Sequence, residues 1–299
     1  MTTQTTNFSV KPDVTAFFDP ATNTISYVVK DPNSESCAVV DSVMDIDYFA
    51  GRITYEHADE IIAFIKDRGL KLEWIIETHV HADHLSAAPY IQEQLGGKIG
   101  VGENIKVVQD VFGKIFNEGT EFQRDGSQFD RLLQPGDVLS LGRFGIGVMP
   151  TPGHTPACLS YRIDDGLQSH VFVGDTLFMP DFGTARCDFP GGDAGQLYDS
   201  IQSLLALPPD TLLYMCHDYP PKTRGARYRI SVAEQLQDNI HVHVGVSRED
   251  FVQMREARDA TLAMPALILP SVQINMRAGH FPEPESNGVS YLKLPLNAL

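Results

Sequence analysis

Apolar residues recur along this chain in two rhythms. "TISYVVK" (24–30) and "SCAVVD" (36–41) are dense in β-branched and apolar residues and flank the turn-rich "DPNSE", which predicts two early strands. "HADEIIAFIKDRG" (57–69) instead gathers Ile61, Ile62 and Ile65 on one helical face and stops at Gly69, so a helix is expected there. A strand, "LEWIIET" (72–78), follows, and after "VHADH" comes an expected helix from Ser86 to Leu95, closed by Gly96 and Gly97. Further on, "DVLSLGRFGIGVMP" reads as a hairpin turning at Gly142 and "CLSYRIDDGLQSHVFVG" as a second, turning at Asp165 and Gly166. "GQLYDSIQSLLAL" predicts a helix and "TLLYMC" the strand after it, while "NIHVHV" (239–244) reads as a strand with His241 and His243 on one side. Strands and helices therefore alternate in two halves, which is an α/β pattern.

Composition narrows the partners. With 299 residues, 42% of them hydrophobic, the chain can bury a substantial core. A formal charge of -16 repels phosphate backbones and acidic lipid surfaces, so neither nucleic acid nor membrane is expected as a partner. No apolar run is long enough to span a bilayer. "MTTQTTNFSVKPDVTAFF" contains no apolar stretch like that of a signal peptide and no Arg occurs before Arg52, so no address is expected there. Cys37, Cys158, Cys187 and Cys216 lie far apart without CxxC spacing, which suits a reducing cytoplasm better than a disulfide framework.

The chemistry concentrates in the loops. "ETHVHADHLSAA" (77–88) sets His79, His81, Asp83 and His84 within six positions directly after an apolar strand. With 10 histidines in the chain, that spacing arises by accident on the order of once in a thousand such sequences. Three further strand ends deliver His154 in "TPGHTP", Asp175 in "VFVGDTLF" and His217 in "YMCHDYPP". Loops converging on one sheet edge would bring all seven together, and His with carboxylate but no thiolate suits zinc, iron or manganese. His57, His170 and His280 carry no motif, and the four cysteines read as packing residues, with Cys187 and Cys216 notable only for their nearness to site residues.

The set HxHxDH (79–84), "PGHT" (152–155), "VGD" (173–175) and "HDY" (217–219) resembles the metallo-β-lactamase-fold superfamily. The resemblance implies a four-layer αββα sandwich as a single domain over 1–299, with 231–299 an extension packed on the core and the metal site where the two sheets meet. Many relatives are two-zinc hydrolases, in which His79, His81 and His154 would hold one ion, Asp83, His84 and His217 the other, and Asp175 would bridge.

The segment "DFGTARCDFPGGDAGQLYDSI" (181–201) is more particular, since it resembles the post-Asp loop of persulfide (sulfur) dioxygenases, as "INMRAG" (274–279) resembles their C-terminus. Cys187 stands where that family usually has Thr, and the loop from Asp175 to Arg186 is longer by about two residues. This resemblance implies one Fe(II) per chain on His79, His154 and Asp175, with His81, Asp83, His84 and His217 orienting ligands or water. The implied reaction oxidises glutathione persulfide with O2 to sulfite and glutathione, and a homodimer is allowed. Glutathione carries two carboxylates, which directs attention to Arg186, with Asp188 beside it, to Tyr219, and to Arg227 in the basic stretch with Lys222, Arg224 and Arg229. The alternatives are a di-zinc hydroxyacylglutathione hydrolase and a non-catalytic metal-binding protein.

Overall fold

The computed structural model describes residues 11–297, so residues 1–10 of the stretch read above for an address lie outside it. The chain begins with β1 (Asp13–Asp19), β2 (Thr24–Lys30) and β3 (Ser36–Val40), then a small ribbon of β4 (Asp45–Asp47) and β5 (Arg52–Thr54). Next come α1 (Glu56–Asp67), β6 (Lys71–Ile76), α2 (Ala88–Leu95), β7 (Lys98–Gly102), α3 (Ile105–Ile115) and β8 (Arg131–Leu133). The second half runs β9 (Val138–Leu141), β10 (Phe144–Pro150), β11 (Leu159–Asp164), β12 (Ser169–Phe172), α4 (Ala194–Leu205), β13 (Leu212–Tyr214) and β14 (Arg229–Ser231). It closes with α5 (Val232–Asp238), α6 (Arg248–Asp259) and α7 (Ile268–Asn275).

Two six-stranded sheets result, ordered β1-β2-β3-β6-β7-β8 and β14-β13-β12-β11-β10-β9. Period-two alternation explains why they stack. Ile25, Tyr27 and Val29 of β2, with Ala38 and Val40 of β3, face a core shared with Ile146, Val148 and Tyr161 of the second sheet. Val28, Cys37 and Val39 point the other way, onto Ile61, Ile62 and Ile65 of α1. The second sheet's outer cover is α4, through Leu197, Ile201 and Leu204, with Phe251 of α6 in the same cluster. Helices therefore cover both outer faces of two packed sheets, the αββα sandwich. No helix among the described residues is long and apolar enough to cross a membrane.

Where pattern and structure differ, local chemistry gives the reason. The expected helix at Ser86 starts at Ala88, because Pro89 favours the first helical turn and the Ser86 hydroxyl instead accepts from the Ala88 N–H. "NIHVHV" is not a strand. The Asn239 side chain accepts from the backbone N–H groups of His241 and Val242 and folds the segment into a turn after α5. Both hairpins turn where expected, with Leu141 paired to Phe144 and Asp164 to Ser169.

Candidate metal centre

Strands β6, β10, β12 and β13 all end at the edge where the sheets meet, and the loops leaving them carry the predicted donors. The sheets are stitched together there: the Ile25 N–H donates to the Cys216 carbonyl (2.7 Å), the Leu159 N–H to that of Thr78 (2.9 Å) and the Tyr161 hydroxyl to that of Glu77 (2.7 Å). Two glycines let the loops come this close. Gly174 has φ +53°, and a Cβ on it would stand 2.7 Å from Thr78 Oγ1; on Gly153, at φ +138°, a Cβ would meet Leu197 Cα at 2.3 Å.

Each imidazole is gripped from behind by one nitrogen. His154 Nδ1 donates to the Arg186 carbonyl (2.6 Å), which leaves Nε2 with its lone pair. His79 Nδ1 lies 3.0 Å from Thr78 Oγ1, whose own proton goes to Asp41 (2.9 Å), so the ring donates and again frees Nε2. His84 and His217 both turn Nδ1 to Thr24 Oγ1, at 3.2 and 3.4 Å. His81 faces the other way, with Nε2 at 3.1 Å from Asp41 and 3.2 Å from Glu77.

The opposite nitrogens are left without partners. Among the described residues eight buried side-chain N or O atoms lack a hydrogen bond, and five belong to this cluster: His79 Nε2, His81 Nδ1, His84 Nε2, His217 Nε2 and Asp175 Oδ1. Each such atom costs about 1–3 kcal/mol unless something binds it, so five converging on one place fit a cation. The donors form two groups, His79 with His154 and Asp175, and His81 with Asp83, His84 and His217, the atoms within each lying inside 4.8 Å of one another. Asp175 reaches both: Oδ2 is 3.7 Å from His154 Nε2 and 3.9 Å from His79 Nε2, while Oδ1 is 3.3 Å from His217 Nε2. Ligands sharing an ion at bond lengths near 2.1 Å stand about 3.0–3.4 Å apart, close to this spread.

Electrostatics favour the ligating forms at several donors. Burial, reinforced by the surrounding imidazoles, holds His79 well below the ordinary histidine range, and burial with His81 brings His84 down to about 4. Both are neutral at pH 7, as a metal ligand must be. Burial alone would raise the Asp83 carboxyl, but His217 and His84 outweigh it and lower it. His81 moves oppositely, since Asp41 and Glu77 overcome its burial and raise it.

Several contributors stand in no short sequence motif. Asp41, Glu77 and Thr24 are the groups just described. Asn275 at the end of α7 clamps the metal loop: its Nδ2 donates to the carbonyls of His81 (2.9 Å) and His84 (2.8 Å), and its Oδ1 accepts from the Ser86 N–H (2.8 Å). It lies within "INMRAG", whose pattern carries a family resemblance but no ligand signature. In α6 the buried Arg255 pairs with Asp259 (2.6 Å) and donates to the Thr184 carbonyl (3.2 Å), while Asp259 accepts from the Cys187 N–H (2.9 Å). Those contacts fix the loop whose Arg186 carbonyl holds His154.

A cavity of about 400 Å³ opens beside the centre, with His154, Asp175 and Asp83 at one side and Phe178, Phe182, Phe189, Tyr219, Leu262 and Leu267 around it. Arg186 lines it too, but its fork is engaged by Asp188 (2.6 and 2.7 Å) and the Ala263 carbonyl (2.7 Å). Tyr219 stacks on Phe182 and on His217. Arg227, expected at the substrate, is exposed and outside the lining; among the described residues its backbone N–H is engaged by Asp218 and its side chain is not. Arg224 is committed to Asp181 and Asp218. All four cysteines are buried and unpaired, and burial pushes the Cys187 thiol up to about 12.

The sequence profile of the Metallo-beta-lactamase superfamily matches residues 20–217, which include every donor named above. The chain belongs to the metallo-β-lactamase superfamily. Within it, the chain is 58% identical to a probable metallo-hydrolase of Burkholderia pseudomallei, over 96% of this chain and 99% of that one. It is 45% identical to "Glyoxylase B2" of Dictyostelium discoideum, over 97% and 99%. It is also 29% identical to the mitochondrial persulfide dioxygenase ETHE1 of Homo sapiens, over 88% and 87%. Among solved structures of the superfamily, ETHE1 from Myxococcus xanthus superimposes with a TM-score of 0.70 at 29% identity, covering 90% of this chain and 100% of that one.

Proposed function

We propose that this chain is a non-haem Fe(II) persulfide dioxygenase that oxidises glutathione persulfide with O2 to sulfite and glutathione. The observation that carries this reading is the group His79, His154 and Asp175, two imidazoles and one carboxylate whose donor atoms face one another and whose His154 and Asp175 border the cavity. Iron held by three ligands on one side would have room for a sulfur substrate and dioxygen together. The similarity to proteins named persulfide dioxygenase supports the reading, as does the "ARCDF" loop.

The protein's own part is positioning. Phe178, Phe182 and Phe189 line the cavity and would exclude bulk water, and Tyr219, also in the lining, would offer its hydroxyl to the substrate peptide. Arg186 with Asp188 shapes the wall beside His154. His81, Asp83, His84 and His217 orient ligands or water around the iron. Four free thiols suit a reducing compartment, and the cytoplasm is the proposed location.

A second reading, a di-zinc hydroxyacylglutathione hydrolase, is favoured by His81 Nδ1 and His84 Nε2, which are also without partners, by Asp175, which reaches both donor groups, and by the higher identity to proteins named probable metallo-hydrolase and "Glyoxylase B2". Metal analysis of anaerobically purified protein separates the two. About one iron per chain fits the dioxygenase, whereas two zinc per chain with thioester cleavage under argon fits the hydrolase.

A further inference from the structure

An anionic substrate entering an acidic protein needs a cation that is free to receive it. Three arginines line the cavity, Arg186, Arg255 and Arg258. Arg186 is held by both Asp188 oxygens and the Ala263 carbonyl. Arg255 is buried, with its fork on Asp259 and the Thr184 carbonyl. Arg258, one turn further along α6, is exposed, and its guanidinium makes no hydrogen bond or ion pair with any described residue. The basic stretch after His217 supplies no competitor, because Lys222, Arg224, Arg227 and Arg229 are all outside the lining.

Beyond Arg255 and Arg258 that wall is apolar, with Leu262, Pro265, Ala266 and Leu267 following them. The remaining charges at the cavity include Asp83 and Asp175 on the metal side. A molecule with a sulfur at one end and a carboxylate at the other would therefore direct the sulfur toward the metal and the carboxylate toward α6. We infer that Arg258 is the specificity-determining residue that binds a carboxylate of the thiol substrate, whereas Arg186 and Arg255 hold the wall in place. The inference rests on the glutathione-linked reading of the site.

Calorimetric titration of the metal-loaded protein with S-methylglutathione, which cannot react, tests it. Arg258→Gln should weaken binding about ten- to a hundredfold, as expected for loss of a charge-assisted hydrogen bond, and Arg258→Glu should weaken it further. Metal content should stay at the wild-type level in both variants. The same molecule with both carboxylates esterified should bind wild type and Arg258→Gln equally.

An unchanged Kd for S-methylglutathione in Arg258→Gln overturns the inference. So does an equal loss against the diester, which would mean packing rather than charge, and so does a wild-type protein that fails to bind S-methylglutathione. If the binding contrast is seen but glutathione persulfide drives no oxygen uptake, the dioxygenase reading fails and Arg258 stands. If oxygen uptake occurs without the contrast, Arg258 alone fails.

Discussion

The two sides of the cavity are built by different means. On the metal side, seven donors come from four strand-end loops, nearly all fully buried, each ring oriented by a hydrogen bond from behind. The part of the lining that comes from α6 and the segment after it is mainly apolar, with the buried, engaged Arg255 and, among the described residues, one exposed and unengaged arginine, Arg258. The first side is over-determined, as a site holding a fixed ion has to be. The second has the looser constraint of fitting a substrate. Changes on the metal side should therefore alter metal content, and changes on the wall should alter affinity alone.

The largest expected break comes from removing a donor. Ala at His79, His154 or Asp175 should abolish most bound metal and lower turnover by more than about a hundredfold, because each loss opens a three-point clamp. Metal analysis of each purified variant reads the result directly. If all three variants kept their full metal, the division between the two sides would collapse.

Asn275 sharpens the comparison, because it belongs to the C-terminal region yet serves the metal side. Asn275→Ala removes three hydrogen bonds and strands buried backbone groups of the loop, so a loss of about 2–4 kcal/mol in urea unfolding is expected, together with weaker metal retention. Asn275→Asp should be worse. A carboxylate can still accept from Ser86, but it cannot donate to the His81 and His84 carbonyls and would face them with like charge. Stability equal to wild type in the Asp variant would show that the clamp does not act as described.

The smallest effect concerns pH. His241 is buried, and its Nδ1 accepts from the Thr184 N–H; burial, then the charges of Arg255 and Arg258, lowers it to about 4. The unfolded chain protonates that ring near about 6.5, so between those values it binds more protons than the native state. Stability should then fall as pH drops from about 6.5 toward 4, with no such contribution above. His57 and His170, also lowered by burial, add in the same direction. His241→Gln should flatten part of that slope in urea midpoints measured across the window, and an unchanged slope would remove His241 from the set.

The same contrast explains what was legible in the sequence. His79, His81, Asp83, His84, His154, Asp175 and His217 stand in short motifs at strand ends, so spacing alone found them. The groups that orient them do not. Asn275 meets the His84 carbonyl across 191 positions and Thr24 meets His84 across 60, pairings that only the sandwich creates. Alternation in "NIHVHV" suggested a strand, but one Asn side chain capturing two backbone N–H groups outweighed so short an apolar pattern. Arg186 and Arg227 are both cations near motifs, and nothing in the sequence shows that Asp188 engages Arg186 while the Arg258 guanidinium makes no hydrogen bond or ion pair with a described residue.

Oxygen consumption tests the proposed chemistry most directly. Anaerobically reconstituted iron protein, given glutathione persulfide in an oxygen-electrode cell, should take up O2 in proportion to added persulfide and release sulfite. Iron-replete protein that consumes no oxygen, yet cleaves lactoylglutathione rapidly under argon, would contradict the dioxygenase reading and leave the hydrolase.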